Sequence, residues 1–199
     1  MPAMKIALPL LATILLAACA GTTPQANVVS FHGTQPMSRG TIATVPQNPA
    51  DADTLSFRVH AESVSSALAR QGFTPVASAT SAQYVAIIAI DEQARATPPR
   101  QSGLTIGVGG GFSSGNVGIG SSVQVPVGGQ QQAGGIIATT LNVRINSSAG
   151  GAPVWEGRAT KEAAAGTPAA DSSSAVPLLA AALFQDFPGP SGKLRTVRL

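Results

Sequence analysis

Leu16-Ala17-Ala18-Cys19 constrains this chain more than any other stretch, because it decides how much of the sequence is left to fold and what can hold it together. Ahead of it, a short segment carrying Lys5 leads into an apolar run from Ile6 to Leu16 that ends in small residues, the layout of an export signal. The run falls well short of the roughly 20 apolar residues that a membrane-spanning helix needs, and Pro9 interrupts it. Residues 1–18 are therefore expected to leave as a signal peptide. Cys19, directly after Leu-Ala-Ala, stands where bacterial lipoproteins carry their acylated residue, and is expected to be the lipid attachment site. Plain cleavage after Ala18, leaving a free thiol, is the competing reading. Cys19 is the sole cysteine, so no intramolecular disulfide is available and the exported part depends on its apolar core.

Each buried acyl methylene contributes ~0.8 kcal/mol and one chain alone holds only marginally, so the several chains of a bacterial lipid anchor imply lasting membrane residence. Ala20 follows the cysteine in place of the aspartate that resembles an inner-membrane retention signal. By that analogy the expected address is the outer membrane, with the domain facing the periplasm. Residues 19–26 continue as Cys-Ala-Gly-Thr-Thr-Pro-Gln-Ala, small and polar, the composition of a flexible tether.

The exported part, roughly 180 residues, has the length of one domain, expected over 27–199. The whole chain carries a net charge of +3. Losing Lys5 leaves a slightly basic chain without Lys/Arg clustering, which excludes a nucleic-acid binder. Six Phe, one Trp and one Tyr stand against 22 Gly and 15 Pro, so the core must come mainly from Val, Ile and Leu.

Asn27–His32 and Gly40–Val45 have the β-branched and aromatic content of strands. Asp53 or Thr54 can cap a helix whose apolar stripe is Phe57, Ala61, Val64 and Leu68, with Gly72 placed to end it. Tyr84–Ile90 is apolar at odd and even positions alike, which predicts a central strand covered on both faces and ending at Asp91. From Ile137 to Asn146 apolar and polar residues alternate as in a half-buried strand, and Val154–Ala159 returns as its hairpin partner. Centring the turn on Ala149 sets Val143 across from Trp155, and Gly157 leaves room beside the indole. A second helix is expected from near Ser174, with Pro177 in its first turn, burying Val176, Leu179, Leu183 and Phe187 before Pro188-Gly189-Pro190 stops it. The basic tail Lys193–Leu199 follows.

Ala67-Leu68 through Gly72-Phe73, Ala82-Gln83-Tyr84-Val85, Val154-Trp155-Glu156-Gly157-Arg158-Ala159 and Phe187-Pro188 together resemble the landmarks of an uncharacterised bacterial envelope lipoprotein family, the domain of unknown function numbered forty-one thirty-six. The resemblance spans most of the mature chain. It implies a small envelope domain with a β-sheet, two helices and a strand bearing Trp-x-Gly, and it implies no activity. Gln83 departs from the aspartate common in the family, so no role is carried to it.

Catalytic constellations are thin. Gly111-Phe112-Ser113-Ser114-Gly115 matches G-x-S-x-G literally, but a nucleophile elbow needs a strand before it and a helix after it, and more glycine follows. His32 and His60 have no second His or Cys at metal-ligand spacing, so neither a metal nor a cofactor is expected. Asp91-Glu92 is a sequential acid pair, and neighbours on a strand point to opposite faces, so it reads as a solvated strand end rather than an acid/base dyad.

The glycine-rich insertion at 103–135 has an alternating pattern. Leu104, Ile106, Val108 and Phe112 on one arm and Val117, Ile119, Val123, Val125 and Val127 on the other alternate with Gly, Ser, Thr, Gln and Pro, about a turn at Ser113–Asn116. A hairpin or loop lying over the sheet is the plain reading; a membrane- or partner-inserting hairpin over 104–127 is the other.

The expected architecture is a two-layer α+β domain, a mixed or antiparallel sheet with two helices on one face plus the glycine-rich hairpin or loop. The expected function is a non-enzymatic binding or structural role as a monomer on the outer membrane, with an envelope protein or lipid as partner. The alternatives are an oligomeric, pore-like assembly through the hairpin and, last, a serine hydrolase using Ser113.

Overall fold

The computed structural model describes residues 23–34, 37–96, 105–107, 124–126 and 135–199. In chain order these form β1 (Gln25–His32), β2 (Thr41–Pro46), α1 (Leu55–Arg70), β3 (Thr74–Pro75), β4 (Tyr84–Ala96), β5 (Thr105–Gly107), β6 (Gln124–Pro126), β7 (Gly135–Ser147), β8 (Pro153–Ala164), α2 (Ser172–Phe184) and β9 (Arg195–Arg198). Among the described residues no helix is long and apolar enough to cross a membrane.

Seven strands make one mixed sheet in the order β3-β2-β4-β7-β8-β1-β9. β3, β2 and β4 run parallel, with α1 crossing from β2 to β3, and the remaining pairs are antiparallel. The predicted α+β class, two helices on one face of a mixed sheet, is what the chain adopts. α1 starts where Thr54 turns its side-chain oxygen to the Phe57 amide, and it stops at Gly72, whose φ of +89° is a conformation other residues resist. α2 follows Asp171 and holds Val176, Leu179 and Leu183 against the sheet. Pro177 lies one turn deeper than expected, since the helix already begins at Ser172.

Three expectations need correction. Val143 pairs with Gly157, and Trp155 stands across from Ile145, because the ladder shifts at Ile145/Asn146 and the turn is wider than one centred on Ala149. The error is two residues, so every side chain keeps its predicted face. β4 does not end at Asp91 but pairs with β7 as far as Ala96. Its odd residues Val85, Ile87 and Ala89 are only half-buried, whereas Ala86 and Ile88 are buried under the helices. Both of its faces are apolar, yet among the described residues no element covers the second one. The basic tail, in turn, contains a strand: β9 pairs with the start of β1.

β5 and β6 pair antiparallel, Ile106 opposite Val125, in the register that the β4–β7 ladder would reach if continued, since stretches of equal length, 97–104 and 127–134, separate the two ladders. The expected turn at 113–116 lies outside the described residues.

Candidate functional surfaces

The landmark residues meet at one place on the helix face. Trp155, 2% exposed, stacks on Phe184 at 5.2 Å between ring centroids and tilts against Phe187 at 5.1 Å. Phe187 in turn takes the edge of Phe73, which meets Tyr84 the same way. Arg39 lies over the rings of Phe73 and Phe187, about 5 Å from each, while its Nε donates to the Gln71 carbonyl at 2.7 Å and Nη1 to that of Met37. The Phe187–Pro188 peptide is cis. The Pro188 carbonyl accepts from Trp155 Nε1 at 3.0 Å and from the buried Ser30 hydroxyl at 3.1 Å, which ties the chain after α2 to β8 and β1. Arg39 was not foreseen: an isolated arginine in Ser38-Arg39-Gly40 has no periodic signal.

A cavity of about 280 Å³ opens beside this cluster, bounded by His32, Arg39, Trp155 and Phe187. His32 sits at its rim with both ring nitrogens facing carbonyl oxygens, 2.8 Å from Gly33 and 2.9 Å from Gly189. A neutral imidazole has one N–H to give, so only the imidazolium satisfies both. The Gly33 contact, then that of Gly189, raises its pKa above the ordinary 6.5, against a smaller opposing effect of burial. The nearby charges are Arg39 across the cavity and Arg195 beside Gly189, the latter paired with Asp186. The His32 contribution to stability is thus complete below pH 6.5 and fades as pH rises through the raised folded value. Proton NMR titration of the ring is expected to give a midpoint above 6.5. His32→Gln is expected to remove that part of the pH dependence of urea unfolding; a midpoint at or below 6.5 would contradict this geometry.

His60 occupies a second cleft, of about 560 Å³, between the start of α1, the loop after β2 and the outer side of β4. Burial pushes its pKa down, and Glu92 partly offsets this. Asp91 is on the opposite face, where its carboxylate accepts from Asn142 at 2.8 Å and Asn142 accepts from Arg158 at 2.9 Å. The sequential acids therefore part to the two sides of the sheet. The uncovered face also carries Arg144 paired with Glu156 at 3.0 Å, beside Val29, Ile87 and the 53%-exposed Phe31, along a groove of about 610 Å³. Gln83 lies across Gly40, where any side chain would collide with it. Cys19 and Ser113 lie outside the described residues.

The fold and this cluster define a two-layer α+β domain whose family landmarks pack into a single aromatic knot. The family model described as "Domain of unknown function (DUF4136)" matches residues 30–189, and the chain belongs to that family. An uncharacterised protein of Zymomonas mobilis is 26% identical over 218 residues, covering 88% of this chain and 81% of its own. Among solved structures, a PDZ domain protein from Parabacteroides distasonis aligns with 87% of this chain at 12% identity and a TM-score of 0.46, this chain spanning 39% of that one. The PelC dodecamer from Paraburkholderia phytofirmans aligns over 78% of this chain and 92% of its own, at 13% identity and a TM-score of 0.37.

Proposed function

We propose that this protein is a lipid-anchored component of the bacterial outer membrane, held through Cys19 with its domain in the periplasm, and that its role is binding or structural rather than catalytic. The observation that carries the anchoring is the apolar run Ile6–Leu16 followed at once by Ala17-Ala18-Cys19, with β1 beginning at Gln25. At about 3.3–3.6 Å per extended residue, the intervening residues reach no further than roughly 20 Å. The sheet is then held close to the bilayer, where a partner would be an envelope protein or a lipid. A non-catalytic role is supported by how the titratable side chains are used: His32 is spent on two carbonyls, and Asp91 and Glu92 face opposite ways.

Cys19→Ala is expected to abolish incorporation of radiolabelled fatty acid and to move the protein from the outer-membrane fraction to the soluble or unprocessed pool. A wild type that takes up no label, or a mutant that still fractionates with the outer membrane, would sink the anchoring.

A further inference from the structure

β4 loses its outer neighbour before it ends. β2 follows it in parallel from Tyr84 to Ile88, the last rung setting Pro46 opposite Ile88. Gln47 closes that side by donating its amide to the Ile88 carbonyl at 2.8 Å. From Ala89 to Ala96 the strand still pairs with β7, while among the described residues no strand pairs with its other side. Successive residues turn their amide and carbonyl groups alternately to the two sides of a strand. Since Ile88 faces β2, the backbone groups of Ile90, Glu92, Ala94 and Ala96 face the open side. All residues from Asp91 to Ala96 are exposed. A row of unpaired donors and acceptors at a sheet edge is a template for another strand.

The limits of this window select a register. Gln47 occupies the edge at Ile88, and beyond Ala96 the sequence runs Thr97-Pro98-Pro99, where proline has no amide hydrogen to give. The midpoint between Ile88 and Pro98 is Gln93. A second copy of β4, antiparallel about a two-fold axis through Gln93, fills the window from end to end. Glu92 then lies opposite the partner's Ala94, and Ile90 opposite the partner's Ala96, as hydrogen-bonded pairs. Asp91 lies opposite the partner's Arg95, and Gln93 opposite its own counterpart, at the closer non-hydrogen-bonded positions. Odd residues of β4 share the uncovered face, where Arg95 pairs with Glu162 at 3.4 Å and Asp91 accepts from Asn142 at 2.8 Å within one copy; both are exposed, and the register adds a carboxylate opposite each guanidinium on both sides of the axis. Moving the register by two residues toward Ile88 would set Glu92 directly against Glu92. Moving it by one would oppose inward-facing to outward-facing backbone groups.

We infer that the free β4 edges of two copies pair in this register, giving a dimer with one continuous sheet and the helices of both copies on the same side. It differs from the monomer expected from the sequence. Gln93→Cys in a Cys19→Ala background of the full chain leaves one thiol per molecule. The facing Cα atoms of a non-hydrogen-bonded pair lie ~4.5 Å apart, within the range of about 4.4–6.8 Å that a disulfide spans. Mild oxidation is expected to convert this variant mostly to dimer on non-reducing gels, while Ser148→Cys, at an exposed turn in the same background, stays monomeric. Asp91→Arg or Arg95→Asp, added to Gln93→Cys, is expected to lower the dimer yield about tenfold, and the two together to restore it, because each charge pair occurs twice across the axis. Circular dichroism melts verify that each variant is folded, and either single reversal suffices if the other is not. Equal cross-linking at 93 and 148 would overturn the proposal, leaving the edge guarded by its charges or covered by the chain's own glycine-rich segment. Single reversals without effect, or a double reversal as low as the singles, would overturn the register.

Discussion

Trp155→Ala is expected to lower the free energy of unfolding by about 3–5 kcal/mol, the range for removing a buried aromatic side chain. The indole is 2% exposed, is held between Phe184 and Phe187, and supplies one of the two donors on the Pro188 carbonyl. Against a total of ~5–15 kcal/mol for a domain, such a loss takes about a fifth or more of the stability. Urea denaturation followed by circular dichroism measures it, because the substitution also removes the only tryptophan and with it the fluorescence signal. A loss below about 1 kcal/mol would mean that the surrounding rings collapse into the gap, and that the cluster is not the keystone its packing indicates.

Gly157→Ala is expected to cost about 2–3 kcal/mol, through overpacking rather than a cavity. A Cβ there would stand 2.7 Å from Trp155 Cζ2, nearer still to Cη2, and 2.9 Å from Leu183 Cδ1. The indole cannot swing aside, since Phe184 and Phe187 close the other directions. The small gain from a less flexible unfolded chain, about 0.4–1 kcal/mol, does not offset this. Because the closest clash is with the indole, and the end of the Leu183 side chain can shift into the space the indole leaves, the same substitution in a Trp155→Ala background is expected to be nearly neutral. A double-mutant cycle reads this coupling directly. Equal costs in the two backgrounds would place the constraint at Leu183 or in the backbone instead.

Patterns that repeat within a segment were legible in the sequence, and relations between segments were not. The stripe Phe57, Ala61, Val64 and Leu68 announced α1, and the alternation from Ile137 to Asn146 announced β7, because helix and strand periods mark one face each. Val85, Ile87 and Ala89 misled, since an apolar run reads alike whether its second face is covered or merely half-buried. The β9 strand was hidden by its cations: Arg195 and Val197 turn inward and Thr196 and Arg198 outward, so charge falls on both faces and the alternation cancels. The shift at Ile145/Asn146 left no trace in the residue types. At the aromatic cluster, the landmarks Phe73, Trp155 and Phe187 were each visible, yet their convergence, and Arg39 lying over two of the rings, depends on strand order, which local pattern does not encode.

β1 lies between two antiparallel neighbours, β8 along Asn27–His32 and β9 along Gln25–Val28, and the Leu199 amide donates to the carbonyl of Pro24. A pull transmitted through the residues before Gln25 enters the domain along the axis of this strand. Its ladder hydrogen bonds run across that axis. They are loaded together in shear, whereas an outermost strand drawn sideways would give them up one after another like a zip. The first strand is thus mounted to bear tension, with β9 fastened along its outer flank.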